Sequence, residues 1–179
     1  MLINTANIPE EGLHLQFAES ENWLYENLPD RGRIDFSAHE ISVQCIVKKD
    51  LKNVSVEGEA STGLELKCSR CLEKFYFPVR TKFTYVLIPA ESTGEEVEKE
   101  LTHEDFNFGF YRDNVIELDQ IVVEQIILQI PVKPLCKDTC RGLCPVCGVN
   151  LNTEKCNHQT KIIDSPFAVL KNLKVKKER

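Results

Sequence analysis

The sequence predicts an α+β fold: a twisted antiparallel β-meander packed with a central helix, plus a cysteine-rich C-terminal module. Three observations carry this reading. Residues 41–87 alternate apolar and polar side chains with period two through three successive runs. Residues 120–130 make one apolar helical stretch, stopped by Pro131 and Pro134. Residues 136–158, CKDTCRGLCPVCGVNLNTEKCNH, hold five of the eight cysteines and one of the four histidines.

In chain order, Leu13, Leu15 and Phe17 alternate in a short strand ended by Ser20, which caps a short helix over 21–27 carrying Trp23 and Leu24 inward. Pro29 and Gly32 end that helix. Ile41, Val43, Cys45 and Val47 form one face of a half-buried strand, and residues 49–53 are a hairpin turn. Val54, Val56, Gly58, Ala60, Thr62, Leu64, Leu66 and Cys68 continue the alternation, with Gly58 and Gly63 as expected bends. After Cys68-Ser69-Arg70-Cys71 the chain runs back through Phe75, Phe77, Val79, Thr81, Phe83, Tyr85 and Leu87, so the first cysteine pair sits at a hairpin tip. Residues 89–112 read as a connector. Asp119 is the expected N-cap of the helix over 120–130, whose apolar surface is almost all-round, and Ser165 caps a second short helix bearing Phe167, Leu170 and Leu173.

At 179 residues the chain is long enough for one sizeable core. Two regions follow: 1–130, a β-rich core with the central helix, and 131–179, the cysteine module, short helix and basic tail, expected to form one cooperative unit with the core. The start MLINTANIPEEG has neither the basic nor the apolar segment of a secretory signal, and no run approaches the length of a membrane span, so the expected location is the cytoplasm. The formal charge is −6, and residues 91–105, with seven acids and one base, account for all of it. This balance argues against a general nucleic-acid binder while leaving room for a local basic surface.

In the cytoplasm, paired cysteines bind metal more often than they form disulfides. Cys144-Pro145-Val146-Cys147-Gly148 has the form of a zinc knuckle: two thiolates on one tight turn, with a glycine where the turn needs freedom from a Cβ. Cys68/Cys71, Cys136/Cys140 and Cys156/His158 complete eight candidate ligands, enough for one or two Zn²⁺ ions. The competing chemistries fit less well. A redox C-x₂-C belongs at a strand-to-helix turn of a βαβ unit, absent from this pattern, and the knuckle form favours zinc over an iron–sulfur cluster. Two partitions are open. The favoured one groups Cys68, Cys71, Cys136 and Cys140, leaving Cys144, Cys147, Cys156 and His158 together; the other pairs Cys68/Cys71 with Cys144/Cys147. Cys45 stands alone on a strand face and reads as a buried structural thiol.

The blocks CSRCLEKF at 68–75, ELDQIVVEQIILQIPVKPLC at 117–136, GLCPVCGVNLN at 142–152 and SPFAVLKNLK at 165–174 resemble the YceD family in order. The resemblance implies a factor needed for accumulation of large-subunit (23S) ribosomal RNA, with no catalytic centre. Its expected partners are that RNA or its precursor particle, or a ribosomal or processing protein, with no membrane and no small-molecule substrate. A redox-switched zinc chaperone is the alternative. Lys171, Lys174, Lys176, Lys177 and Arg179 are the candidate phosphate contacts, with Arg70, Lys133, Lys137 and Arg141 behind them. Neutralising the thiolate sites is the competing role for the latter four.

Overall fold

The computed structural model describes residues 1–28, 36–90 and 108–158. Among these residues the strands and α-helices run β1 (Leu2–Asn4), β2 (Leu13–Glu19), α1 (Glu21–Glu26), β3 (Phe36–Ala38), β4 (Ile41–Asp50), β5 (Asn53–Lys67), β6 (Lys74–Pro89), β7 (Phe108–Tyr111), β8 (Val115–Glu117) and α2 (Leu118–Ile127), with a short 3-10 turn at Thr5–Asn7.

The main sheet has the order β2-β4-β5-β6-β7, and β3 pairs with the end of β5 that β4 leaves free. The antiparallel meander β4-β5-β6 is the part that strict alternation specifies. One set of side chains, including Val43, Val47, Val54, Val56, Leu64 and Val79, is buried, and the alternate set faces water. Leu51, at φ 55°, lies in the tight turn between β4 and β5. Leu24 of α1 enters the same core. α1 is held by Tyr25, whose ring stacks on Phe36 and whose hydroxyl donates to the Phe36 carbonyl, and by the Glu21 carboxylate, which accepts from Ala38 N at 3.1 Å.

Several expectations need correction. The sheet is mixed, because β7 joins β6 in parallel. A parallel neighbour needs a connection of about a dozen residues or more, and 90–107 supplies that length. β1 and β8 form a separate two-stranded sheet, and Asp113 and Asn114, both at positive φ, make the turn between β7 and β8. Gly58 and Gly63 are places of close approach rather than bends. A Cβ on Gly58 would lie 2.7 Å from the Cys45 Cβ, and one on Gly63 would lie 2.3 Å from the Tyr76 ring.

α2 starts earlier than expected, at Leu118 after Glu117. Asp119 lies in its first turn and pairs with the Met1 ammonium instead of capping. The helix ends at Ile127, and residues 128–130 continue only as turns. Its apolar surface is one-sided: Leu118, Ile121, Val122, Val123 and Ile126 are buried, whereas Gln120 and Glu124 face out. Its main neighbours are β6, β5 and β1. No helix among the described residues is long and apolar enough to cross a membrane. The helix expected from Ser165, the acidic stretch 91–105 and the tail lysines lie outside the described residues.

Candidate metal centres

Two knuckles with the same hydrogen-bond pattern position the first cysteines. In the β5–β6 tip, Cys68 N donates to Glu73 O at 2.9 Å, Leu72 N donates to Cys68 O at 2.9 Å, and Arg70 N points at Cys68 Sγ at 3.5 Å. At 144–149, Cys144 N donates to Val149 O at 2.8 Å, Gly148 N to Cys144 O at 2.8 Å, and Val146 N reaches Cys144 Sγ at 3.4 Å. The fifth residue of each turn is left-handed, Gly148 at φ 74° and Leu72 at φ 62°. Glycine meets that requirement without a Cβ penalty, so Leu72 holds the same turn at some local strain.

The segment after α2 is then laid against the first knuckle. Ser69 N donates to Pro134 O at 2.8 Å and Leu143 N to Arg70 O at 3.2 Å. Arg70 Nη1 donates to the carbonyls of Cys140 at 2.9 Å and Asp138 at 3.4 Å. That engagement makes Arg70 a clamp on the site although it is exposed, as Lys133, Lys137 and Arg141 also are.

The result is two tetrads. Cys68, Cys71, Cys136 and Cys140 form one, and Cys144, Cys147, Cys156 and His158 the other; within each, the potential ligand atoms all lie within 4.8 Å of one another. This grouping is the first of the two partitions. In the first tetrad, Cys68 and Cys140 Sγ are 3.8 Å apart and Cys71 and Cys136 Sγ 3.7 Å apart. Four thiolates at about 2.3 Å from a tetrahedral ion stand roughly 3.8 Å from each other, the separation these two pairs have. The second tetrad is tighter, with Cys156 Sγ 3.5 Å from Cys147 Sγ, 3.4 Å from Cys144 Sγ and 2.8 Å from His158 Nδ1. Its donor set suits a metal, and its atoms would move apart by a few tenths of an ångström or more to accept one.

The tetrads differ in surroundings. The first is mostly buried, with Cys68 at 0% and Cys140 at 3% exposure, and it forms a small second core with Phe75, Leu135 and Leu143. In the second only Cys144 is buried; Cys147 and His158 are exposed. Asn152 joins the two. It lies in the loop between Cys147 and Cys156, yet its Nδ2 donates to Cys140 Sγ at 3.3 Å while its Oδ1 accepts from Arg141 N at 3.0 Å.

Each tetrad divides its thiols into easily ionised and resistant ones. The N–H groups of Cys147 and Val146 bring the Cys144 thiol down to about 6. Burial opposes ionisation of Cys68, but the N–H groups of Cys136, Cys71 and Arg70 outweigh it and bring that thiol to about 6. Burial, reinforced by the thiols of Cys71, Cys140 and Cys68, pushes Cys136 up to about 12. Neighbouring thiolates repel, and a bound dication removes that obstacle to full ionisation. Cys45 takes no part: it is buried on β4 opposite Gly58, and burial raises its thiol.

The YceD family, described as "Large ribosomal RNA subunit accumulation protein YceD", matches residues 56–174. The chain belongs to the YceD family. The span matched to YceD takes in both knuckles and all eight members of the two tetrads. An uncharacterized protein of Mycobacterium tuberculosis is 31% identical over 153 residues, covering 82% of this chain and 71% of that protein. An uncharacterized protein of Mycobacterium leprae is 26% identical over 157 residues, covering 84% and 69%. A YceD relative from Arabidopsis thaliana, "Large ribosomal RNA subunit accumulation protein YCED homolog 1, chloroplastic", is 25% identical over 161 residues, covering 75% of this chain and 48% of its own length. No solved structure matches the chain.

Proposed function

We propose that this chain is a non-enzymatic cytoplasmic factor supporting the accumulation, processing or stability of large-subunit rRNA during ribosome biogenesis. The observation that carries the reading is the YceD match along 56–174, a family described by large ribosomal RNA accumulation. The partner is that RNA or its precursor particle, or a ribosomal or processing protein bound to it. Zinc is the ion proposed for both tetrads, since seven thiolates and one imidazole in two groups of four suit its tetrahedral, sulfur-rich preference. Zinc here holds shape: residues 131–158 contribute few buried apolar side chains, so ligation replaces the core they lack.

Deleting the gene should lower large-subunit rRNA relative to small-subunit rRNA, and the intact gene should restore the ratio. An unchanged ratio defeats the reading. A redox-switched zinc chaperone is favoured by one feature, the exposure of Cys147 and His158 in the second tetrad. Zinc release with gain of client binding after mild peroxide would support it.

A further inference from the structure

Among the described residues one face of the main sheet is exposed, and on β6 that face carries an unusual row. Val79, Thr81, Phe83 and Leu87 point into the core, so Lys74, Tyr76, Pro78, Arg80 and Lys82 project outward in sequence. The whole of β6 contains three bases and no acid, in a chain whose formal charge is −6. Alternate residues of a strand stand about 6.7 Å apart, which makes this row roughly 27 Å long.

Tyr76 is 62% exposed, and its position is built. The ring lies over Gly63, where any Cβ would come within 2.3 Å of Tyr76 Cε2 and 2.6 Å of its hydroxyl oxygen. His39 meets the ring edge-on, with centroids 5.8 Å apart and planes at 61°. His39 is itself fixed to β5, its N donating to Gly63 O at 2.8 Å and its carbonyl accepting from Thr62 Oγ1 at 3.2 Å. An aromatic ring seated on bare backbone and braced at its edge, with Lys74 beside it and Arg80 and Lys82 farther along the strand, is an arrangement that stacks an unpaired base while cations meet the phosphates. The neighbouring outward positions Ser42, Gln44, Glu57, Glu59, Ser61 and Glu65 are polar, with Glu65 directly opposite Tyr76 and Glu59 opposite Lys82. Glu59 pairs with Arg80 and holds its guanidinium on this face.

We propose that the outward row of β6 is a contact surface for single-stranded RNA, with Tyr76 stacking on a base and Lys74, Arg80 and Lys82 meeting phosphates. The proposal rests on the rRNA-accumulation reading and locates the RNA on the sheet.

The test uses the full-length, metal-loaded chain and fluorescence anisotropy with a short unstructured RNA oligonucleotide and a duplex of the same sequence. Tyr76→Ala should weaken single-strand binding about tenfold or more, and Tyr76→Phe should bind as wild type. Gly63→Ala, which unseats the ring, should reproduce part of the loss. Lys74→Ala with Lys82→Ala should flatten the log–log salt slope by roughly 1.4. Duplex binding should respond to the lysines and not to Tyr76. Tyr76→Ala binding the single strand as tightly as wild type overturns the stacking surface, as does wild-type protein that binds neither probe, which would point to a protein partner. In the deletion strain, failure of the wild-type gene to restore large-subunit rRNA counts against the functional reading instead. Restoration by wild type combined with unchanged RNA binding by Tyr76→Ala counts against this inference alone.

Discussion

The two tetrads should contribute unequally to the stability of the sheet, and Cys71→Ser against Cys147→Ser measures the difference. An ion in the first tetrad ties the β5–β6 tip to the segment after α2. The shortest separation between those two segments, Cys71 to Cys136, is 65 residues. Closing a loop of that length removes unfolded-state entropy worth about 4 kcal/mol. In the second tetrad the corresponding separation, Cys147 to Cys156, is nine residues. The same relation gives about 3 kcal/mol there, and this stabilisation stays within the loop. If the ion leaves on unfolding, mass action gives a similar figure for the first tetrad, about 4 kcal/mol at free metal a thousandfold above the dissociation constant. For a chain of this size each kcal/mol shifts the melting temperature by about 2–4 °C, so Cys71→Ser should lower the sheet transition by roughly 8–16 °C. Cys147→Ser should leave that transition within a few degrees and act chiefly on residues 144–158. The assay is thermal melting of metal-loaded proteins followed by far-ultraviolet circular dichroism, which reports the strands. Equal shifts for the two variants, or no shift for Cys71→Ser, would refute the claim that the first tetrad is the structural bridge.

In cobalt-substituted protein, Cys68→Ser and Cys136→Ser should lose the same thiolate bands and Cys144→Ser a different set, while Cys45→Ser should lose none. Asn152→Ala should weaken metal binding at the first tetrad by about tenfold or more, read by competition with a chromophoric chelator, because it removes the side-chain donor to Cys140. Deleting 171–179 should flatten the salt dependence of RNA binding: five tail contacts would contribute a log–log slope of roughly −3.5 on single strands. A tail that contributes nothing leaves the slope unchanged.

The elements legible in the sequence are those whose side chains report burial directly. β2, β4, β5 and much of β6 alternate, and exchanging the faces would bury Lys, Glu or Gln, so the buried face followed from pattern. The knuckles were legible because thiolate spacing and turn chemistry coincide at Cys144–Gly148, with a weaker echo at Cys68–Cys71, where Leu72 stands in place of the glycine. Three-residue strands such as β1, β3 and β8 are too short to show a period, and pairing direction leaves no local trace, so the parallel β6–β7 neighbour was hidden. The Asp113-Asn114 pair was the missed signal, since adjacent residues tolerant of positive φ mark a tight hairpin turn. Gly58 and Gly63 misled for a related reason. A glycine within a strand signals either a bend or a close neighbour, and only the partner strand shows which.

The linkage through Asn152 gives the two centres an order. Its carboxamide is aimed at Cys140 by three contacts: Arg141 N donating to its Oδ1, its own Nδ2 also donating to Asn150 Oδ1 at 2.9 Å, and its N donating to the same oxygen at 3.0 Å. Asn150 and Asn152 both belong to the loop that an ion on Cys144, Cys147, Cys156 and His158 would close. Emptying the exposed centre therefore frees the loop and withdraws a hydrogen bond from a ligand of the buried one. The reverse path is weaker, because the knuckle at Cys144 is held by its own backbone bonds to Gly148 and Val149. Loss of metal at the surface should then lower affinity at the buried centre, whereas loss at the buried centre detaches the module from the sheet without dismantling the outer knuckle. Stepwise chelation would display this order: the exposed ion leaves first, and the buried ion leaves faster from Cys147→Ser protein, whose loop no ion closes, than from wild-type protein with both centres filled.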